Sequence, residues 1–184
     1  MPNSKLAHIA LGTGIAIIRI PRFGHDYAQT VVEGTNSDDL AKGPGHYVGT
    51  ALPGEIGNFA IAGHRVTEGH PFFNLDQVRP GDALVIESGS YWFTYRVLGN
   101  KTTGDFADPA VGVPGREIVD PSAGTVIDPS PNRPGAPPSR PIITLTTCNP
   151  KYSARQRLVI HGLLVSQPLL KSKGKPAALT QGGS

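Results

Sequence analysis

Forty-one of the 184 residues are glycine or proline, 23 and 18 respectively. That is about 22% of the chain, against an average near 12%. Helix bundles and coiled coils are excluded, because each interior proline removes a helical hydrogen bond and each glycine weakens the helix. Disorder is excluded as well. The formal net charge is only +3 and apolar residues make up 38%, gathered in short blocks able to bury a core. A length of 184 residues suits one domain. Short apolar blocks punctuated by Gly and Pro predict an all-β fold with long loops and few short helices.

Ile15–Ile20 is expected as a first strand, ended by Pro21, and Gln29–Glu33 as a second. Asn36 offers an N-cap for a short helix reaching Leu40, which Gly43-Pro44-Gly45 stops. Gly57–His64 is expected as a buried strand ending at the histidine, and Phe72–Val78 as a helical turn. Ala83–Glu87 and Tyr91–Leu98 form a hairpin around Ser88-Gly89-Ser90, with Trp92, Thr94 and Arg96 alternating against Phe93, Tyr95 and Val97. Between residues 99 and 141 the only strand candidates are Glu117–Val119 and Thr125–Ile127. Ile142–Thr147 leads to Cys148, and Arg157–Val165 is the last strand. About eight strands at this spacing predict a closed barrel or a sandwich. Residues 1–12 are a lead-in, 13–168 the barrel and 169–184 a flexible polar tail.

Cys148 is the sole cysteine, so no intrachain disulfide forms. The six histidines show no HExxH spacing, and Asp105, Asp108 and Glu117 are expected as solvated loop acids, so no metal or other cofactor is expected. Positive charge is spread along the chain, and its densest run (Lys171, Lys173 and Lys175) falls in the polar tail, which argues against a nucleic-acid partner. The most apolar stretch, Ile9–Ile20, has 12 residues, where a membrane span needs about 20. Cys148 stands at the end of a buried strand, where Pro150 stops further pairing. Arg157 lies nine residues on and Arg155 two before it. A hairpin would return one of these arginines beside the sulfur, where a guanidinium could hold negative charge on sulfur or on an oxyanion. His64 ends another strand and is the candidate acid or base. Spacing alone leaves open a buried inert cysteine and a loop histidine.

Thr144-Leu145-Thr146-Thr147-Cys148 resembles the TLxTC signature of sortases, and Ala62-Gly63-His64-Arg65 resembles their histidine motif. The similarity covers roughly residues 13–168. It includes Gly43-Pro44-Gly45-His46-Tyr47, Gly49–Gly54 and Phe72–Asp76 with Gly81-Asp82. Arg157 nine residues after Cys148, with Pro134-Gly135 upstream, is most similar to actinobacterial class E sortases, class D being next.

The resemblance implies an eight-stranded sortase-type β-barrel and a cysteine transpeptidase without cofactor. Such an enzyme cleaves a Leu-Pro-x-Thr-Gly or Leu-Ala-x-Thr-Gly signal between Thr and Gly and passes the acyl group to a peptidoglycan amine. It implies Cys148 as nucleophile, His64 as acid and base, and Arg157 as oxyanion or backbone donor. Thr146, Thr147 and Glu68 would contact substrate; Glu68 occupies the loop where class E members often carry a Tyr. The partners would be secreted proteins bearing a sorting signal, met at the outer face of the cytoplasmic membrane or in the cell wall. The family's N-terminal membrane segment has no counterpart here, so the resemblance reads the sequence as the soluble portion of an anchored protein. An L,D-transpeptidase, whose Ser-His-Gly-Cys block is missing, and a non-catalytic β-barrel binding module are the rival readings.

Overall fold

The computed structural model describes residues 9–181. Ten strands form one sheet: β1 (Gly14–Arg19), β2 (Gln29–Glu33), β3 (Gly45–His46), β4 (Gly57–Ala62), β5 (Ala83–Ser88), β6 (Tyr91–Val97), β7 (Arg116–Val119), β8 (Pro141–Asn149), β9 (Gln156–Leu164) and β10 (Leu169–Leu170). The two short helices are α1 (Ser37–Leu40) and α2 (Ala177–Thr180). The order β6-β5-β1-β2-β3-β4-β8-β9 closes because β9 pairs back onto β6. Eight strands therefore make a closed ring, with β7 and β10 added outside it. β9 shares one edge between two partners: Arg157–Ile160 face β7, while Gly162–Leu164 face β6.

Alternation decides which side chains fill the barrel. Phe59 and Ile61 of β4, Ile143 and Leu145 of β8, and Leu158 and Ile160 of β9 point inward with Ile18, Leu84, Ile86 and Tyr95. Each is at most 2% exposed, and burial of one such side chain contributes about 1.5–3 kcal/mol. The opposite phase of β8 carries Thr144, Thr146 and Cys148 outward. That outer face is covered over most of its length. Asn58 donates to the carbonyls of Val126 and Asp128 at 3.1 and 3.0 Å. Thr144 donates to Asn58 Oδ1 at 2.6 Å and lies 2.8 Å from His161 Nδ1. His161 thereby links β8 and β7 outside the barrel, with Nδ1 at Thr144 and Nε2 2.7 Å from the Glu117 carboxylate.

Several expectations are corrected. Thr125–Ile127 is not a strand; it lies in the 3₁₀ turn Gly124–Ile127, whose carbonyls cap Asn58 and Asn132. Glu117 is no solvated loop acid, being a half-buried β7 residue bonded to His161 and Asn132. Residues 169–181, expected as a flexible polar tail, carry defined structure: β10 pairs with β6, and Leu169, Ala178 and Leu179 pack on Ala83, Val85 and Trp92. Lys171, expected in solvent, pairs with Glu87, which also takes Arg19. Residues 1–8 of the lead-in and 182–184 of the tail lie outside the described residues. Asn36 caps α1 as expected, accepting from Asp39 N at 2.9 Å.

Candidate active site

The β8–β9 hairpin sets Cys148 directly opposite Arg157. Arg155 precedes the strand and is not paired with Cys148, so the structure separates two arginines that alternation could not. Arg157 is half-buried. Its Nη1 donates to the carbonyls of Ala154 and Gln156 at 3.1 and 3.0 Å. That steadies the guanidinium on its own turn while Nε and Nη2 make no hydrogen bond among the described residues.

His64 arrives by a different route. β4 runs parallel to β8 with a constant offset of 84 residues, from Gly57↔Pro141 to Ala62↔Thr146. Gly63 N bonds Thr146 O at 3.1 Å just beyond the last ladder pair, and His64 follows in the loop, ahead of Arg65, which bonds the Cys148 carbonyl. Thr147, whose side chain has the inward phase, donates through Oγ1 to Gly63 O at 2.6 Å. A Cβ on Gly63 would lie 2.5 Å from the Phe72 ring, so only glycine lets the chain pass between Phe72 and β8 ahead of the histidine. Cys148 and His64 are both half-buried.

A third clamp was not foreseen. Arg65 is 3% exposed and donates from Nη1 to Cys148 O at 2.9 Å, from Nε to Phe73 O at 3.2 Å and from Nη2 to Asp76 at 3.0 Å. One side chain thus ties the loop after His64 to the main chain of Cys148. Lys151, on the β8–β9 turn, lies 3.6 Å from the same Asp76 carboxylate and over the Phe73 ring. The only sequence signal for this role was that Arg65 directly follows His64.

Cys148 and Arg157 face each other at one end of the outer sheet face, and the loop that carries His64 is tied to the same end through Gly63 and Arg65. Thr146 and Thr147 lie beside them, both buried and both engaged, Thr146 with Tyr47 Oη at 2.8 Å and Thr147 with Gly63. Their hydroxyls hold neighbouring elements in place, and Tyr47 is a further site neighbour that spacing did not single out. Glu68 sits exposed at the tip of the loop after His64, with φ 48 and no side-chain partner among the described residues. No cluster of potential metal ligands occurs among the described residues.

The sortase domain family model matches residues 18–165. The chain belongs to the sortase family. Among curated relatives of this sortase, Sortase SrtE1 of Streptomyces coelicolor is 35% identical over 175 residues, covering 91% of this chain and 45% of that protein. The chain spans about half the length of the curated relatives it matches. The structure of SrtF from Corynebacterium diphtheriae superposes with a TM-score of 0.84 at 37% identity, covering 95% of this chain and 96% of that one. Sortase E1 from S. coelicolor with a tripeptide in its active site gives a TM-score of 0.74 at 32% identity over 94% and 99% of the two chains. The closed eight-stranded barrel of this sortase is the fold of those structures. No described helix is long and apolar enough to cross a membrane.

Proposed function

We propose that this sortase is a cysteine transpeptidase acting on C-terminal sorting signals. The observation that carries this reading is that Cys148 faces Arg157 across β8–β9, with His64 following β4 between Gly63, bonded to Thr146 and Thr147, and Arg65, bonded to the Cys148 carbonyl. The Cys148 thiolate attacks the Thr carbonyl of a Leu-Ala-x-Thr-Gly or Leu-Pro-x-Thr-Gly segment. Charge moves to the carbonyl oxygen, where Arg157 donates. The C–N bond to Gly then breaks, and the departing amine takes its proton from protonated His64. A Thr thioester remains on Cys148. An acceptor amine attacks it, loses a proton to His64 and expels the thiolate, which restores the starting state.

Sortase E1 of S. coelicolor holds a tripeptide in its active site, in keeping with a peptide substrate here. The acceptor is a cell-wall peptide amine, and the place of work is the outer face of the cytoplasmic membrane. Glu68, exposed beside His64, accepts from the N–H of the signal's second residue, which Ala offers and Pro lacks. The ratio of kcat/KM for paired Leu-Ala and Leu-Pro peptides checks this: Glu68→Ala lowers the ratio by up to about tenfold, and an unchanged ratio removes Glu68 from that position.

The deciding test is mass spectrometry of the protein mixed with a sorting-signal peptide. The wild type gains the mass of the Thr-acyl fragment on Cys148, and Cys148→Ala gains nothing while keeping its fold. Cleavage between Thr and Gly by Cys148→Ala at the wild-type rate would overturn the reading.

A further inference from the structure

Positive φ falls almost wholly to glycine in this chain. Fourteen glycines take it among the described residues, against four others: Glu68, His70, Asn132 and Tyr152. Asparagine tolerates the left-handed region. The remaining three all lie on the two segments that lead away from His64 and Cys148, and Tyr152 is the sharpest case. Ser153 N donates to Pro150 O at 3.0 Å, closing a four-residue turn in which Tyr152, at the third position, has φ 65. Glycine or asparagine is the usual choice there, and a bulky side chain is strained. Packing does not offset that strain. Tyr152 is 80% exposed, and its hydroxyl makes no hydrogen bond among the described residues. An aromatic ring is thus displayed four residues past the nucleophile, where the turn itself favours glycine.

The same turn is fastened to the segment that follows His64. Lys151 lies 3.6 Å from the Asp76 carboxylate and 4.2 Å from the centre of the Phe73 ring, and Phe73 meets the His70 ring at 5.5 Å. In the reaction proposed above, His64 protonates the amine of the departing Gly, so the residue after that Gly lies where these two segments are joined. We infer that Tyr152 determines specificity on the leaving side: its ring packs against the side chain that follows the Gly of the signal and favours a large apolar residue there. The inference rests on the transpeptidase reading and extends it to a peptide position beyond the cleaved bond. The exposed ring offers apolar area to bury, while Lys151, Arg155 and Arg157 on the same hairpin disfavour a cation. Tyr152 takes no part in making or breaking bonds. It holds the departing segment while the Thr–Gly bond is attacked.

The test uses the whole protein and three signal peptides, identical through Thr-Gly and carrying Leu, Ser or Asp as the next residue. For the wild type, kcat/KM for acylation favours Leu over Ser about fivefold, the order expected when one side chain packs on an aromatic ring. Tyr152→Phe keeps that preference, and Tyr152→Gly brings the two peptides within about twofold of each other. Because glycine relaxes φ at this position, the Tm of Tyr152→Gly is unchanged or higher by up to about 3 °C. A ring that merely supported the fold would give the opposite result, so a fall in Tm of more than about 3 °C overturns the proposal. Equal kcat/KM for Leu and Ser in the wild type overturns it too, as does a preference that survives in Tyr152→Gly. A preference for Asp over Leu assigns the position to the cations of the hairpin and removes the ring from it. If none of the peptides acylates Cys148, the transpeptidase reading falls with the inference; acylation at equal rates by all three removes Tyr152 alone.

Discussion

Replacing Arg65 by Ala removes the one side chain that bonds simultaneously to the backbone of Cys148, the backbone of Phe73 and the carboxylate of Asp76. A hydrogen bond from a charged donor contributes about 1.5–3 kcal/mol, and stranding a buried acceptor costs about 1–3 kcal/mol. The three contacts do not add. Asp76 is 46% exposed and keeps Lys151 at 3.6 Å, so its share is below about 1 kcal/mol. The Phe73 and Cys148 carbonyls remain, and water entering the vacated space rescues part of their loss. The balance is about 3 kcal/mol, at the low end for breaking a buried charged contact. For a chain of this size that is a fall in Tm of about 6–12 °C. Arg65→Lys keeps the charge but cannot reach three acceptors in three directions, so it recovers less than half. Differential scanning calorimetry gives the stability. Peptide-acylation kinetics give a second readout: displacement of the Cys148 backbone lowers kcat more than it raises KM. A variant within about 0.5 kcal/mol of wild type, with unchanged kcat, refutes the clamp.

Arg157→Ala lowers kcat/KM for acylation about 100- to 1000-fold but leaves Tm within about 2 °C, because Arg157 bonds only the exposed carbonyls of its own turn; a loss below threefold in a peptide-cleavage assay removes it from the chemistry. Burial pushes the Glu117 carboxyl up, but hydrogen bonds from His161 and Asn132 outweigh that and hold it below its ordinary value of 4.5. Its contribution to stability is therefore complete above about pH 4.5 and is lost as the pH falls through the lower folded value. Denaturant titrations should show the wild type above Glu117→Gln at neutral pH and the two curves converging in acid; parallel curves exclude this linkage. Leu169→Ala/Leu179→Ala uncovers Trp92, the chain's single tryptophan, costing about 2–3 kcal/mol and shifting tryptophan emission to the red; unchanged emission means the last segment does not cover that ring.

What was legible in the sequence follows the range of the interactions involved. The β8–β9 hairpin is local. Nine residues separate Cys148 from Arg157, and period-two alternation with a short turn suffices to bring an arginine back to the sulfur. The choice of Arg157 over Arg155 needed the register, because both share a phase. The strand expected over Gly57–His64 was visible as an apolar run but stops at Ala62, two residues short of the histidine, and its parallel pairing with β8 joins residues 84 apart, which no local pattern encodes. Arg65 is the sharper case, since its four acceptors lie 8, 11, 83 and 84 residues away. The last segment was misread because Lys171 and Lys173 dominate its composition. Its docking signal stood elsewhere, in Trp92 occupying the phase of β6 opposite the barrel interior, where a large apolar ring needs a cover. Thr125–Ile127 is β-branched, yet the backbone there accepts side-chain donors from Asn58 and no strand lies beside it to complete a ladder.

The division of labour at the open end of the barrel explains why the reactive groups are placed without being tied. Thr147 holds Gly63, Arg65 holds the Cys148 carbonyl, and Tyr47 holds Thr146. Every one of these clamps acts within two residues of a proposed reactive side chain or on its main chain. The Cys148 sulfur and the His64 ring make no hydrogen bond among the described residues, and Arg157 keeps Nε and Nη2 available. A nucleophile and an acid locked into mutual hydrogen bonds would have to break them before meeting a peptide carbonyl and a departing amine. Positioning through neighbours avoids that step while still fixing the backbone. It also predicts how damage divides. Losses at Thr147, Arg65 or Tyr47 should lower stability and kcat together, whereas losses at Cys148, His64 or Arg157 should abolish or slow the chemistry in a protein that melts like the wild type.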